Sequence, residues 1–320
     1  MTTRTLTANR PGPVALSIDL PIGDIKVITD PGRSLAEVTV TAVGDDPAIN
    51  DAVRDAFLHT NESTGEMTVR VRPPAGVTIM GGTQTVRGNF GATVVQSFGD
   101  IRTGVEVTGV EISGDGMVNL GGRVVVNGVE ITGRGVIVGH VEITAHVPEG
   151  TVLATVTRSA SLECSGELAV VGFTSTSGGL SAGGVGTLRA DTVSGDIAAV
   201  IVDGAAIVRS VSGDVHLARA DDVTATTTSG DITVGDFAGR AEVSTVSGDV
   251  RVRAAEGGTI SARSVSGDVT VTATGTALAE GLTVNATSRT GRVSTPTDTP
   301  AGTASPAARA RRPRRTDGGA

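Results

Sequence analysis

Asp196, Asp214, Asp231, Asp249 and Asp268 each follow a Ser-Gly pair, and they return at intervals of 18, 17, 18 and 19 residues. A file of carboxylates at one spacing could hold cations, Ca²⁺ above all. Calcium needs several oxygens converging on one point, however, and one carboxylate per repeat does not supply them. The GGxGxD repeat that binds calcium is also absent. Two unit charges ~4.8 Å apart in water repel by only about 0.9 kcal/mol, so an exposed row of this kind stands without a metal. The aspartates are a weak metal candidate, and the first expectation is structural, with no cofactor.

The other reactive side chains are scattered. Cys164 is the only cysteine, so the chain forms no internal disulfide, and a buried small hydrophobe is its expected role. His59, His140, His146 and His216 show no metal-ligand spacing. No carboxylate sits in a distinctive acid/base context, so no catalytic residue is assigned. The Gly-rich stretch at 76–91 lacks the GK[ST] of a phosphate loop and reads as an irregular loop. The run ARARRPRR, with Arg309, Arg311, Arg312, Arg314 and Arg315, reads as a solvated tail.

The elements that position the aspartates follow from the glycines before them. Gly178, Gly195, Gly213, Gly230, Gly248 and Gly267, with Gly291 as a looser member, mark a period near 18 residues, the signature of stacked repeats. Seven residues before each glycine come Val171, Leu188, Ala206, Val223, Ala241, Ile260 and Val284. Five before come Phe173, Ala190, Val208, Ala225, Val243, Ala262 and Ala286. Three before, the residue is always Ser or Thr. These columns share a period of two and point to one face of a strand. After the glycine an apolar column resumes at Leu180, Ile197, Val215, Ile232, Val250, Val269 and Val293.

Two short strands joined at Ser-Gly-Asp therefore make one rung, and no rung buries its apolar face alone. Stacking at ~4.8 Å pairs each rung's backbone with its neighbours, and roughly seven rungs span about 30 Å. The fold class is all-β, a β-solenoid. At each corner the expectation is a glycine with positive φ, flanking Ser and Asp side chains bonded to nearby backbone, and Ser/Thr hydroxyls bonded to one another along the stack. Arg292 stands where the next aspartate would be and is expected to close the acidic row electrostatically.

Four regions are expected. Residues 1–76 form a β-rich N-terminal cap, with a short helix in 47–60 presenting Ile49, Val53, Ala56 and Phe57 on one face. Residues 77–150 form an irregular Gly-rich β region continuing the solenoid. Residues 151–293 form the regular repeat, and 294–320 a disordered Pro/Ala/Arg tail. The chain has 5 Phe and no Trp or Tyr, which argues against sugar platforms and base-stacking surfaces. The net charge of −8 argues against nucleic acid as a partner for the main body. No apolar run approaches the ~20 residues of a membrane span. A cytoplasmic location follows as the default, with the cell surface as the alternative.

The iterated [TS]-x-SGD-[IV]-x-[VL] unit, with LPIGDIKV and HVPEGTVL upstream, resembles the bacterial putative-adhesin family of β-strand repeat proteins. The resemblance spans most of residues 10–293 and implies a β-solenoid without catalytic residues or cofactor. The regular solenoid, with no convergent catalytic constellation, points to a non-enzymatic, adhesin-like scaffold whose polar sheet faces meet an unknown protein partner. Self-association of solenoid ends, as in bactofilins, is a second expectation. A polysaccharide-active β-helix enzyme is the least favoured.

Overall fold

The protein is represented by a computed structural model that describes residues 2–73 and 139–296, with five short strands between them. The N-terminal strands are β1 (Thr3–Thr7), β2 (Ala15–Leu20), β3 (Asp24–Thr29) and β4 (Glu37–Val43), followed by helix α1 (Pro47–Arg54), β5 (Phe57–Thr60) and β6 (Met67–Arg70). The short strands are β7 (Val105–Val107), β8 (Val110–Ile112), β9 (Val118–Leu120), β10 (Val124–Val126) and β11 (Val129–Ile131). They pair antiparallel among themselves, β7 and β11 on β10 and β8 on β9. The rest of the Gly-rich region up to residue 138, and the Arg-rich tail, lie outside the described residues.

The repeat region begins with β12 (His140–Val147) and β13 (Val152–Thr157). It continues through the long strands β14 (Ser161–Ser175), β15 (Leu180–Thr192), β16 (Ile197–Arg209), β17 (Val215–Thr226), β18 (Ile232–Ser247) and β19 (Val250–Ser266). It closes with β20 (Val269–Ala273), helix α2 (Gly275–Ala279), β21 (Leu282–Ser288) and β22 (Val293–Ser294). From β13 to β20 consecutive strands pair in parallel, and β21 and β22 pair in parallel on β19 and β20, each one lap above the last. This is a β-solenoid.

Each lap has two corners of different construction. One is the Ser-Gly-Asp turn between two strands. The other lies inside β14–β19, where the chain bends without leaving the ladder. There the register slips, for example between Val185 and Leu188 and between Val202 and Ala205. Val202 pairs with Ala220, yet Ala205 pairs with Asp222. Slips of this kind are β-bulges, and they bend a strand without ending it. They also absorb the alternation between 17- and 18-residue laps, so the Ser-Gly-Asp corners stay aligned.

The inward columns read from the sequence are the register partners of the structure. Val171, Leu188, Ala206, Val223, Ala241, Ile260 and Val284 pair successively. All but Val284 are buried. The core is built largely from Val, Ala, Ile and Leu, with Phe173 and Phe237 its largest fully buried side chains.

The first lap comes from an unexpected place. β2 and β3, joined through Pro21-Ile22-Gly23, lie in register beneath β13 and the start of β14. Beneath them again, β6 runs parallel to β2 and β12 parallel to β3. Antiparallel strands then take over, β4 on β12, β1 on β4 and β5 on β6. Helix α1 starts at Asp46, whose carboxylate accepts from Ala48 N, and it buries Ile49, Ala52 and Val53. The helix is shorter than the sequence suggests. Ala56 is buried just past its end, while Phe57 belongs to β5 and is 53% exposed.

Candidate functional site

The Ser-Gly-Asp edge carries the recurring aspartates of the repeat. Gly178, Gly195, Gly213, Gly230, Gly248, Gly267 and Gly291 stand in one line. A Cβ on any one of them would fall 1.9–2.2 Å from a carbonyl oxygen of the lap below. From Gly195 onward that oxygen belongs to the preceding glycine of the line, and for Gly178 it belongs to Ala160. None of these glycines has a φ in the left-handed region. The expected reason for glycine is therefore corrected: the residue is required by close approach of backbone to backbone along the stack, not by positive φ.

The buried Ser/Thr column serves the same glycines. Ser175 Oγ accepts from Gly178 N at 2.7 Å, Thr192 Oγ1 from Gly195 N at 3.0 Å, and Ser210 Oγ from Gly213 N at 2.9 Å. Higher in the stack the hydroxyls also donate downward. Thr245 Oγ1 gives its proton to Gly230 O at 3.1 Å, Ser264 Oγ to Gly248 O at 3.0 Å, and Ser288 Oγ to Gly267 O at 2.7 Å. The expected hydroxyl-to-hydroxyl chain is not what forms. Within this column only Thr157 and Ser175 bond directly among the described residues, at 2.9 Å. Backbone groups at a corner have no ladder partner, so they claim the hydroxyls first.

The aspartates are tied to one another through the main chain. Asp214 N donates to Asp196 Oδ1 at 3.0 Å. Asp231 N, Asp249 N and Asp268 N each donate to the carboxylate of the aspartate below at 2.8 Å. Arg292 N completes the series on Asp268 Oδ1 at 2.7 Å. Arg292 thus closes the row with its backbone N–H, where the sequence suggests its charge. The aspartate carbonyls accept from the strand below, as Asp214 O does from Ile197 N at 2.9 Å. From Asp214 to Asp268 each aspartate peptide is so stitched both up and down.

Arg251 spans two members of the row, reaching Asp231 at 3.3 Å and Asp249 at 2.6 Å. One oxygen of each carboxylate from Asp196 to Asp268 is already committed to a peptide N–H. Among the described residues no three His, Cys, Asp or Glu side chains converge in a metal-binding group.

Two corners of this edge are not visible in the sequence period. Gly23-Asp24 is the lowest, with Asp24 in register with Ser161. Thr157 to Ala160 make the next, with Thr157 Oγ1 bonded to Ala160 O at 3.1 Å. The phrase LPIGDI is the available signal, since its Gly-Asp-Ile matches SGDI. Ser161 and Gly179 occupy the aspartate position in the two laps above Asp24, which leaves an open notch rimmed by Asp24, Glu163 and Asp196.

The remaining candidates stay apart. Cys164 is buried, and burial first, with the nearby Glu163 charge second, pushes its thiol up to about 12. His146 Nδ1 lies 2.8 Å from Asp30 Oδ2, and His140 Nε2 lies 3.3 Å from Asp24 Oδ2. His59 sits beside the Phe57 ring, and His216 is exposed on β17. Hydrogen bonding to His146, then to Arg33, holds the Asp30 carboxyl below its usual range. Lys26 is bonded to Glu142 at 3.0 Å, which raises its ammonium pKa. No helix among the described residues is long and apolar enough to cross a membrane.

None of the curated proteins matches this chain. Among solved structures it is similar to a putative adhesin from Parabacteroides merdae, at 7% identity and a TM-score of 0.35, over 92% of this chain and 96% of that one. It is similar to a putative adhesin from Parabacteroides distasonis, at 10% identity and a TM-score of 0.28, over 92% and 97%. A putative cell adhesion protein from Clostridium sporogenes follows, at 8% identity and a TM-score of 0.23, over 92% and 100%. The Toastrack DUF4097 family model matches residues 17–303, which takes in every corner of this edge from Gly23 to Gly291, and the chain belongs to that family.

Proposed function

We propose that the protein is a non-enzymatic scaffold whose outer sheet face binds a protein partner. One observation carries the reading: the face formed by the second halves of the laps is a polar grid held in fixed register. Its rows present Arg209, Thr226, Ser244 and Arg263 in one column and Thr224, Glu242 and Ser261 in the next. Arg209, Thr224, Thr226, Glu242 and Arg263 are exposed. Side chains on such a grid are positioned by the ladder beneath them, so a partner meets them with little ordering cost. Arg in particular suits planar, bidentate recognition of carboxylates.

The test is affinity capture from native extract with the full chain and with an Arg209→Glu/Arg263→Glu variant of unchanged melting temperature. A stoichiometric protein held by the first and lost by the second is the expected result. Capture of no stoichiometric partner, or of one indifferent to the charge reversal, overturns the reading. Cytoplasmic residence belongs to the same proposal, because Cys164 is unpaired and the fold needs no oxidising compartment. Recovery of the native protein from the cell surface on fractionation would contradict it.

A further inference from the structure

The two ends of the solenoid are finished differently. At the N-terminal end antiparallel strands and α1 close over the stack, with Ile49, Ala52 and Val53 buried. At the C-terminal end, β21 pairs with β19 on one side and β22 with β20. Among the described residues no strand pairs with the outer edge of either. The inward column changes accordingly. Ile260, Ala262 and Val269 are fully buried, while their partners one lap on, Val284, Ala286 and Val293, are only half-buried, as is Leu282.

An open strand edge beside a half-exposed apolar row is a template for another strand. The residues that follow β22 are poorly suited to cover it. From Thr295 to Ala320 there is no Val, Leu, Ile, Phe or Met, and Pro296, Pro300, Pro306 and Pro313 interrupt the run. Proline cannot donate to a ladder, and Ala, Thr and Arg offer little apolar cover.

We infer that the C-terminal rung is a pairing surface for a second copy of this chain, joined tail to tail about a two-fold axis normal to the sheet faces. That operation lays β21 antiparallel against β21 of the second copy and brings the two β22 strands edge to edge, so both sheets run on across the junction. The row Leu282, Val284 and Ala286 meets its own image, and each edge supplies the N–H and C=O groups that the other lacks. The outward residues of β21, Thr283, Asn285 and Thr287, are uncharged and exposed, so their juxtaposition carries no like-charge cost. The contact is isologous and closes at two copies.

Seven residues at about 3.4 Å each make β21 about 24 Å long, and packed sheets lie about 10 Å apart. An end of that size covers roughly 500 Å² over both copies, below the ~1,200 Å² of stable specific interfaces, so the association is weak and reversible. The inference does not rest on the scaffold reading, since it uses the end of the solenoid and not its polar sheet face.

Analytical ultracentrifugation of the full chain from low micromolar to near-millimolar concentration is expected to show a monomer–dimer equilibrium. Val284→Lys puts a charge into the row that must meet its image, and it is expected to leave only monomer over the same range. Thr283→Cys, Asn285→Cys and Thr287→Cys, made singly, keep the core intact and decide the case if Val284→Lys unfolds the last rung. Under mild oxidation at least one should give a disulfide-linked dimer, with yield falling away from the residue nearest the axis. The unsubstituted chain, whose one cysteine is buried, is the control. A monomer at every concentration overturns the inference, as do species larger than a dimer. So does a dimer that survives Val284→Lys and cross-links at none of the three positions.

Discussion

Gly195 passes so close above Gly178 that a methyl group on its Cα would lie 1.9 Å from the Gly178 carbonyl oxygen. Backbone cannot yield to that contact as a side-chain tip could, because Gly178 O belongs to a corner stitched to the laps on both sides. Gly195→Ala and Gly213→Ala should therefore each destabilise by about 3 kcal/mol, at the upper end of overpacking costs. Gly275, the first residue of α2, has open space where its methyl group would stand, with no neighbour within 4 Å. There alanine should be neutral or stabilising by up to about 1 kcal/mol. Urea denaturation of the three variants checks the contrast.

Asp214 accepts from Asp231 N while its own N–H is held by Asp196. Truncation to alanine leaves the Asp231 N–H without its acceptor and should cost about 1 kcal/mol. Asp214→Asn keeps an acceptor oxygen and removes a charge from the row, so its cost should be smaller. The same pair of variants addresses cations. Melting of the native chain is expected to be equal in EDTA and in millimolar Ca²⁺. A rise of several degrees in Ca²⁺ that vanishes in Asp214→Asn would make the row a metal site after all.

The columns are legible in the sequence because the Ser-Gly-Asp corner is under two strict demands at once: glycine for close approach, and a short acceptor on either side. Val171 to Val284 can be aligned by eye from those glycines alone. The second corner makes no such demand. A bulge bends the strand wherever the register can slip, so Gly186-Thr187, Asp203-Gly204 and Asp221-Asp222 serve in turn and leave no repeated phrase. The lowest lap is hidden for a different reason. β2 and β3 meet β13 and β14 in space only after a long excursion of the chain, and a period counted along the sequence cannot cross it. The role of glycine is ambiguous in the sequence because positive φ and backbone crowding select the same residue, and only coordinates separate them.

Asp30, at the end of the first lap, should report on acid stability. Its carboxyl is held below the ordinary value of 3.8, first by the hydrogen bond to His146 and then by Arg33. A carboxyl depressed in the folded state stabilises fully above its unfolded value, and that contribution is lost as pH falls through the lowered folded value. The native chain should therefore be more stable than Asp30→Asn above pH 3.8, with the difference shrinking toward zero below it. The side chain is exposed, so the effect is small. Urea midpoints of both proteins at intervals from about pH 2 to about pH 6 measure it, and a constant difference across that range would remove His146 as the cause.

Cys164 should behave as an inert wall of the core. Its thiol is buried and pushed up to about 12, and the thiolate is the nucleophile. At about pH 8 roughly one thiol in ten thousand is ionised on that value, and Leu162 and Ala182 are buried around it in the same lap and the next. Iodoacetamide should leave the folded protein unmodified over hours and label it fully in denaturant. Labelling then becomes a gauge of lap opening, because Cys164 reacts only when the strand it lies on leaves the ladder. Gly195→Ala, which strains the corner above, should raise the labelling rate roughly in step with its loss of stability. Fast labelling of the unsubstituted chain would mean that the lower laps open independently of the rest, contrary to a stack whose every lap is buried by the next.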